Sequence, residues 1–131
     1  MIVNTVKITV GMLKSIIREA LEKRAAKVPN ILYHVTSERN VESVLRQGLQ
    51  PRHNPHWNMP EPAVFFMDDL DAAIDMYDMI GHPGRVEAFI VHVDRLPPET
   101  KFYEDLDAGK GAFWSPDPIP VTALEQVIFD D

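Results

Sequence analysis

From Ile31 onward the chain consists of short apolar runs, ILYHV, AVFFM, VEAFIVHV, KFYED and LEQVIF, broken irregularly by proline-rich loops and by two stretches of helical periodicity. Runs of this length and composition read as strands, and their irregular interruption is not the alternating pattern of a parallel βαβ sheet. The expected class is therefore α+β. The first helical stretch, about Glu38 to Gln47, has Thr36 or Ser37 as its cap and apolar Val41, Val44 and Leu45. Gly48 is placed for a left-handed C-terminal residue, with Leu49 packing behind it. The second helix starts after Asp68 or Asp69 and ends at Gly81, carrying Ala72, Ala73, Met76, Tyr77 and Ile80 on one stripe.

Composition narrows the function classes. A chain of 131 residues, 45% hydrophobic and 25% charged, has room for one globular domain and can bury enough surface to need neither disulfide nor metal. The absence of cysteine excludes thiol catalysis, zinc–thiolate sites and redox switching. With 20 acidic against 13 basic residues, the net charge of -7 opposes broad attraction to nucleic acid or an anionic membrane. No apolar run approaches the roughly 18 residues needed to span a bilayer, and the N-terminus lacks the core of a signal peptide. A cytoplasmic protein with no membrane partner is expected.

The chain divides at about residue 30. Residues 1–30 read as a helical extension, with Met12, Leu13, Ile16, Ile17, Ala20 and Leu21 forming an apolar stripe and Thr9 a cap. Lys14, Arg18, Lys23, Arg24 and Lys27 make its other face basic, which reads as a docking helix with a solvated face rather than a nucleic-acid-binding segment. The stretch KITVGMLKSIIREALEK is similar to short N-terminal helices of phage-encoded proteins. That similarity implies a phage origin, with the host cytoplasm as location, or a targeting tag. Residues 31–131 form the domain proper.

Within that domain the stretch YHVTSERNVESVLRQGLQPR combines a strand end bearing an aromatic residue and a histidine, a Thr-Ser cap, a short helix and a glycine stop. In this order the features resemble the first motif of ADP-ribosyltransferases of the His-Tyr-Glu group. AVFFMDDLDAAIDMY is similar to the second motif, a short strand followed by an acidic turn and a helix carrying a tyrosine. Phe65 then stands where the family has its first tyrosine and supplies an aromatic wall, and Tyr77, with Met76 as the alternative, matches the second. ALEQVIFDD resembles the third motif, selecting Glu125, and the preceding PDPIPVTAL looks like the family's Pro-Ile-Pro lead-in. Strand alternation puts Glu125, Val127 and Phe129 on one face.

The resemblance implies a split pair of small β-sheets enclosing a cleft for NAD, used as a substrate without any metal, and an unknown macromolecular acceptor, protein or nucleic acid. Cleaving the nicotinamide–ribose bond builds positive charge on the sugar, which a nearby carboxylate stabilises. Glu125 would take that role, with His34 and Tyr77 completing the catalytic set. His34 and Thr36 would hold ribose or adenosine hydroxyls, Tyr77 and Phe65 would face the nicotinamide, and the backbone near Val35 would read its carboxamide. Arg52 would meet a diphosphate oxygen, since guanidinium matches that geometry. Each residue also has an ordinary reading: a strand histidine satisfied in the core, a tyrosine packed on its helical stripe, a solvent-facing glutamate, a surface arginine.

Other constellations carry less. His53 and His56 lie in an HNPH string whose Pro55 breaks the helix that would align them as metal ligands. Asp68, Asp69 and Asp71 read as helix-capping charges. There is no G-x-G-x-x-G and no Walker loop, and Ser37, Ser43 and Ser115 lack the setting of a nucleophile elbow. The loops Gln50 to Pro62, around Trp57, and Ala108 to Pro120, with Gly109, Gly111, Phe113 and Trp114, read as binding loops. In relatives the second of these helps choose the acceptor, which implies that Phe113 and Trp114 touch the target. Two alternatives stand beside the transferase. One is an RNA 2'-phosphotransferase, disfavoured because Arg52 and Arg85 are its only evident phosphate-binding residues. The other is a catalytically silent module that binds a protein partner through the N-terminal helix.

Overall fold

A computed structural model of the chain describes residues 28–53, 61–81, 84–105 and 108–129. The N-terminal helix expected within residues 1–30, and Trp57 and His56 of the first loop, lie outside the described residues. The rest is a mixed α/β domain whose strands form one antiparallel sheet of six. In chain order these are β1 (Ile31–Ser37), β2 (Val64–Met67), β3 (Val86–His92), β4 (Tyr103–Glu104), β5 (Ala112–Ser115) and β6 (Leu124–Gln126). Helix α1 (Val41–Gln47) follows β1 through a 3-10 turn at Glu38–Asn40, and α2 (Leu70–Ile80) follows β2.

The spatial order β4-β5-β2-β1-β3-β6 conceals a seam. β1 pairs with β3 along its whole length, from Ile31↔His92 to Ser37↔Val86, and β2 pairs with β5 from Val64↔Ser115 to Met67↔Ala112. Between β1 and β2 the register comprises a single pair, Tyr33↔Met67. The sheet is thus two three-stranded halves joined by one backbone rung. His34 adds a bond across the same seam, its Nδ1 donating to the Phe65 carbonyl at 2.7 Å.

Residues directly opposite in an antiparallel ladder share a face, so the register assigns every side chain. Leu32, Phe89, Val91, Phe66 and Phe113 point to one face, where they meet Val44 of α1, Leu49, Phe102, Ile119 and Ala123 in the main core. The other face of β1 and β2 is covered by α2, whose Ala73 and Tyr77 are buried.

Helix α2 has the expected ends, whereas the first helical stretch begins with a 3-10 turn capped by Ser37, α1 itself follows Asn40 without a side-chain cap, and Gly48 is not in the left-handed conformation expected of it. Ser37 Oγ accepts from the Arg39 N–H, and Asp69 accepts from the Ala72 N–H at 2.9 Å as the cap of α2. Gly81 closes α2 in the left-handed conformation. Gly48 has φ 74° and ψ -169°, a region open in practice to glycine alone, and a Cβ there would collide with the Ile119 carbonyl oxygen. That close approach lets Leu49 and Ile119 exchange backbone hydrogen bonds of 2.9 and 2.8 Å, tying the end of α1 to the segment leading into β6.

One loop assignment is corrected. Phe113 and Trp114 belong to β5, are buried, and pair with Phe66 and Phe65 of β2, with Tyr103 stacked on Trp114 at a ring separation of 4.7 Å. They form part of the sheet and present no surface to an acceptor.

Candidate functional site

Beyond the rung at Tyr33 the strands β1 and β2 have no ladder between them, and a cleft of about 350 Å³ lies there, walled by the second half of β1, the start of β2 and α1. That volume falls within the usual range for small-molecule sites. The cleft collects His34, Val35, Thr36, Arg52, Phe65 and Tyr77, six residues that the sequence singles out. A smaller cavity of about 110 Å³ continues beneath α2 and shares His34, Val35, Phe65 and Tyr77 with it.

Local structure fixes most of these side chains. Because a carbonyl can only accept, the 2.7 Å contact with Phe65 requires the proton of His34 on Nδ1, which leaves Nε2 as an acceptor in the neutral ring. Burial pushes the His34 imidazole below its ordinary value of 6.5, partly opposed by the bond to the Phe65 carbonyl. The ring is therefore neutral at neutral pH and suited to accept from a ligand hydroxyl. Its edge packs against Phe66, with centroids 6.1 Å apart. Thr36 Oγ1 accepts from the Asn40 amide at 3.0 Å, which leaves its own O–H as a donor. Tyr77 sends its hydroxyl to the Gly84 carbonyl at 3.2 Å, so the phenol ring is held while its face borders both cavities.

Arg52 is part of the lining of the cleft. Its backbone exchanges hydrogen bonds of 3.2 and 3.1 Å with Ala63, an isolated bridge that anchors the chain just before β2. His53 lines the cleft as well, with Asn40, Ser43 and Gln50 as further polar lining. In a chain with 20 acidic residues, no carboxylate is found among the described residues of this cleft. Its lining offers a guanidinium, hydroxyls and amides, the groups that bind an anionic, hydroxyl-rich ligand.

Glu125 is not part of this arrangement. It pairs with Ile90, which pairs with Tyr33, so its side chain projects from the opposite face to that of His34, whose partner on β3 is Phe89. Its side chain is 60% exposed, its carboxylate meets His92 Nε2 at 2.9 Å, and it lines neither cavity. The expectation that Glu125 meets His34 and Tyr77 around one sugar is corrected: the register turns it away from His34, and it lines neither of the cavities that His34 and Tyr77 share. Arg85, the second phosphate-binding candidate, is paired weakly with Glu87 at 3.9 Å and also lies outside both cavities.

Asp105 is the carboxylate that sequence reading passed over. It directly follows β4, is only 6% exposed, and lines the smaller cavity together with His34 and Tyr77. Its sequence setting, one aspartate in KFYED ahead of a glycine-rich turn, gives no sign of this because the cavity is assembled from β1, β2, β5 and α2. Among the described residues, no group of three or more His, Asp or Glu side chains could hold a metal ion, and no helix is long and apolar enough to cross a membrane. Comparison with protein-family models and with curated proteins yields no match for this chain.

Proposed function

We propose that this chain is an ADP-ribosyltransferase-like domain whose seam binds NAD, and that it acts through binding rather than through glutamate-dependent transfer. The observation that carries this reading is the make-up of the larger cleft. Arg52 together with His34 and Thr36 of β1 suit the diphosphate and ribose hydroxyls of a dinucleotide, while the Phe65 and Tyr77 rings suit a flat base. The division of the sheet into two halves supports the same family reading.

The transfer reading, with ADP-ribose passed to a protein or nucleic-acid acceptor, requires a carboxylate beside the sugar. Glu125, which lines neither cavity, does not supply it. The phosphotransferase reading has weaker support still, since Arg52 is the one arginine among the described residues of the cleft.

Thermal denaturation with and without NAD, combined with transfer from labelled NAD, tests the proposal. NAD at about 100 times its Kd should raise the melting temperature by roughly 5 °C or more, because a ligand that binds only the folded state stabilises it by mass action. Labelled ADP-ribose should not accumulate on any acceptor. Transfer by the wild type that disappears in Glu125→Gln would overturn the binding reading, and no shift at millimolar NAD would overturn the cleft assignment.

A further inference from the structure

The two faces of the sheet are not covered alike. Over one lie α1 and the main core; over the other, α2 is the one described helix. A helix is about 10 Å wide and strands lie about 4.8 Å apart, so a single helix spans about two strands. α2 packs on β1 and β2, and the main neighbours of β3 are β1 and β6, strands of the same sheet. The β3–β6 end of that face is left over. The register aligns there Ile31 with His92 and Ile90 with Glu125, and Val127 lies beside Ala88, to whose carbonyl its N–H donates at 2.9 Å. Ile31, Ile90 and Val127 are only partly buried. An apolar sheet surface of this kind is normally closed by a second layer.

A segment able to close it is adjacent in the chain. Residues 1–27 carry Met12, Leu13, Ile16, Ile17, Ala20 and Leu21 at helical spacing. The Asn30 carbonyl accepts from the Val93 N–H at 2.9 Å, so the chain enters the domain at the Ile31–His92 end of the β1–β3 ladder. Residues 28–30 are a connection of ordinary length between a helix and a strand. A helix from Met12 to Ala26 would be about 22 Å long and the seven residues of β3 span about 23 Å, so the two match. Charge agrees as well. Residues 1–27 hold six basic and two acidic residues, +4 in a chain of net charge -7, which leaves -11 on the domain. α2 has no basic residue, and Asp71, Asp75 and Asp78, all exposed, run along one stripe of it at spacings of four and three.

We propose that residues 1–27 fold back on their own domain as a helix antiparallel to α2, covering the β3–β6 end of the sheet with that apolar stripe. The direction follows from the topology. The segment ends beside Ile31, whereas α2 ends near Gly84, whose carbonyl the Tyr77 hydroxyl reaches at 3.2 Å, at the opposite end of the ladder where Ser37 pairs with Val86. Residues 12–16 therefore come close to the C-terminal end of α2. Docked in this way, the segment completes the second layer of the domain and offsets the acidity of α2, whatever the seam binds.

Paramagnetic broadening in the full chain tests this arrangement. Met79, 77% exposed near the end of α2, is replaced by cysteine, which is then the one thiol in the chain and carries a nitroxide. The amide signals of residues 12–16 should be lost and those of residues 23–27 weakened less. Both should return in Ile16→Asp/Ile17→Asp, a change that leaves the described domain untouched. Signals unaltered by the nitroxide would overturn the proposal, and so would broadening that persists in Ile16→Asp/Ile17→Asp. A gradient running the other way would overturn the antiparallel direction. Mixing isotope-labelled chain lacking the nitroxide with unlabelled chain bearing it separates the remaining occupant: broadening in that mixture assigns the cover to a second copy and overturns self-docking.

Discussion

His34 links the two halves of the sheet and the ligand cleft through one ring. Its Nδ1–H bond to Phe65 replaces a backbone rung where the ladder stops, and its burial favours the neutral form. Because its pKa is lowered in the folded state, the unfolded chain binds more protons as pH falls below 6.5, and stability contributed by this site is full above that value and lost toward the lowered one. Denaturant midpoints should therefore fall between pH 7.5 and 5.5 in the wild type, and fall less in His34→Asn, which keeps a donor for the carbonyl without the titration. An equal fall in both would remove His34 as the source. Glu125→Gln, by contrast, should leave NAD affinity unchanged in calorimetry, since it alters only an exposed contact with His92. The contrast between these two residues shows what was legible at this scale. His34, Val35, Thr36, Arg52, Phe65 and Tyr77 come from two local motifs that neighbour each other across a single seam, so the motifs alone bring them together. Which face of the sheet Glu125 takes depends on pairing with β3, and a slip of one residue would have reversed it.

At the level of elements, the helices were readable because their ends are chemically marked. Asp69 and Gly81 start and stop α2, and Ser37 starts the 3-10 turn that leads into α1. Asp69→Ala should lower stability by about 1 kcal/mol, the usual cost of losing an N-cap, with a matching shift in the denaturant midpoint. Gly48→Ala should cost roughly 2–4 kcal/mol, since it combines a strained backbone with a collision against the Ile119 carbonyl. A loss below about 1 kcal/mol would mean that the junction between α1 and the Ile119 segment yields easily. Strand β5 was not readable. All four of its residues, Ala112 to Ser115, are buried, so the alternation that marks a half-exposed strand is missing, and glycines before it with prolines after it make it resemble a loop. β6 is only three residues long, and Val127 adds one backbone bond to Ala88 of β3, at 2.9 Å, beyond its end.

Across the whole molecule, the α+β class followed from the spacing of the strands, while the split pair of small sheets implied by the resemblance is met as one six-stranded sheet with a single rung between its halves, which depends on where one ladder ends. Cohesion of the halves comes largely from side chains: Phe66 lies next to the rung, meets Phe102 at 5.5 Å between ring centroids, and sits in the same cluster as Leu32 and Phe89. Phe66→Ala should cost about 3–5 kcal/mol and weaken NAD binding along with it, measurable as a lowered melting temperature and a smaller ligand-induced shift. In its middle the sheet is held by one backbone rung, the His34–Phe65 bond and shared core side chains, so the lips of the groove are tied to each other by side chains more than by strand pairing. A molecule spanning that groove would act as a brace, slowing amide exchange on both lips together, at Thr36 and at Phe65, although the two strands have no ladder between them there.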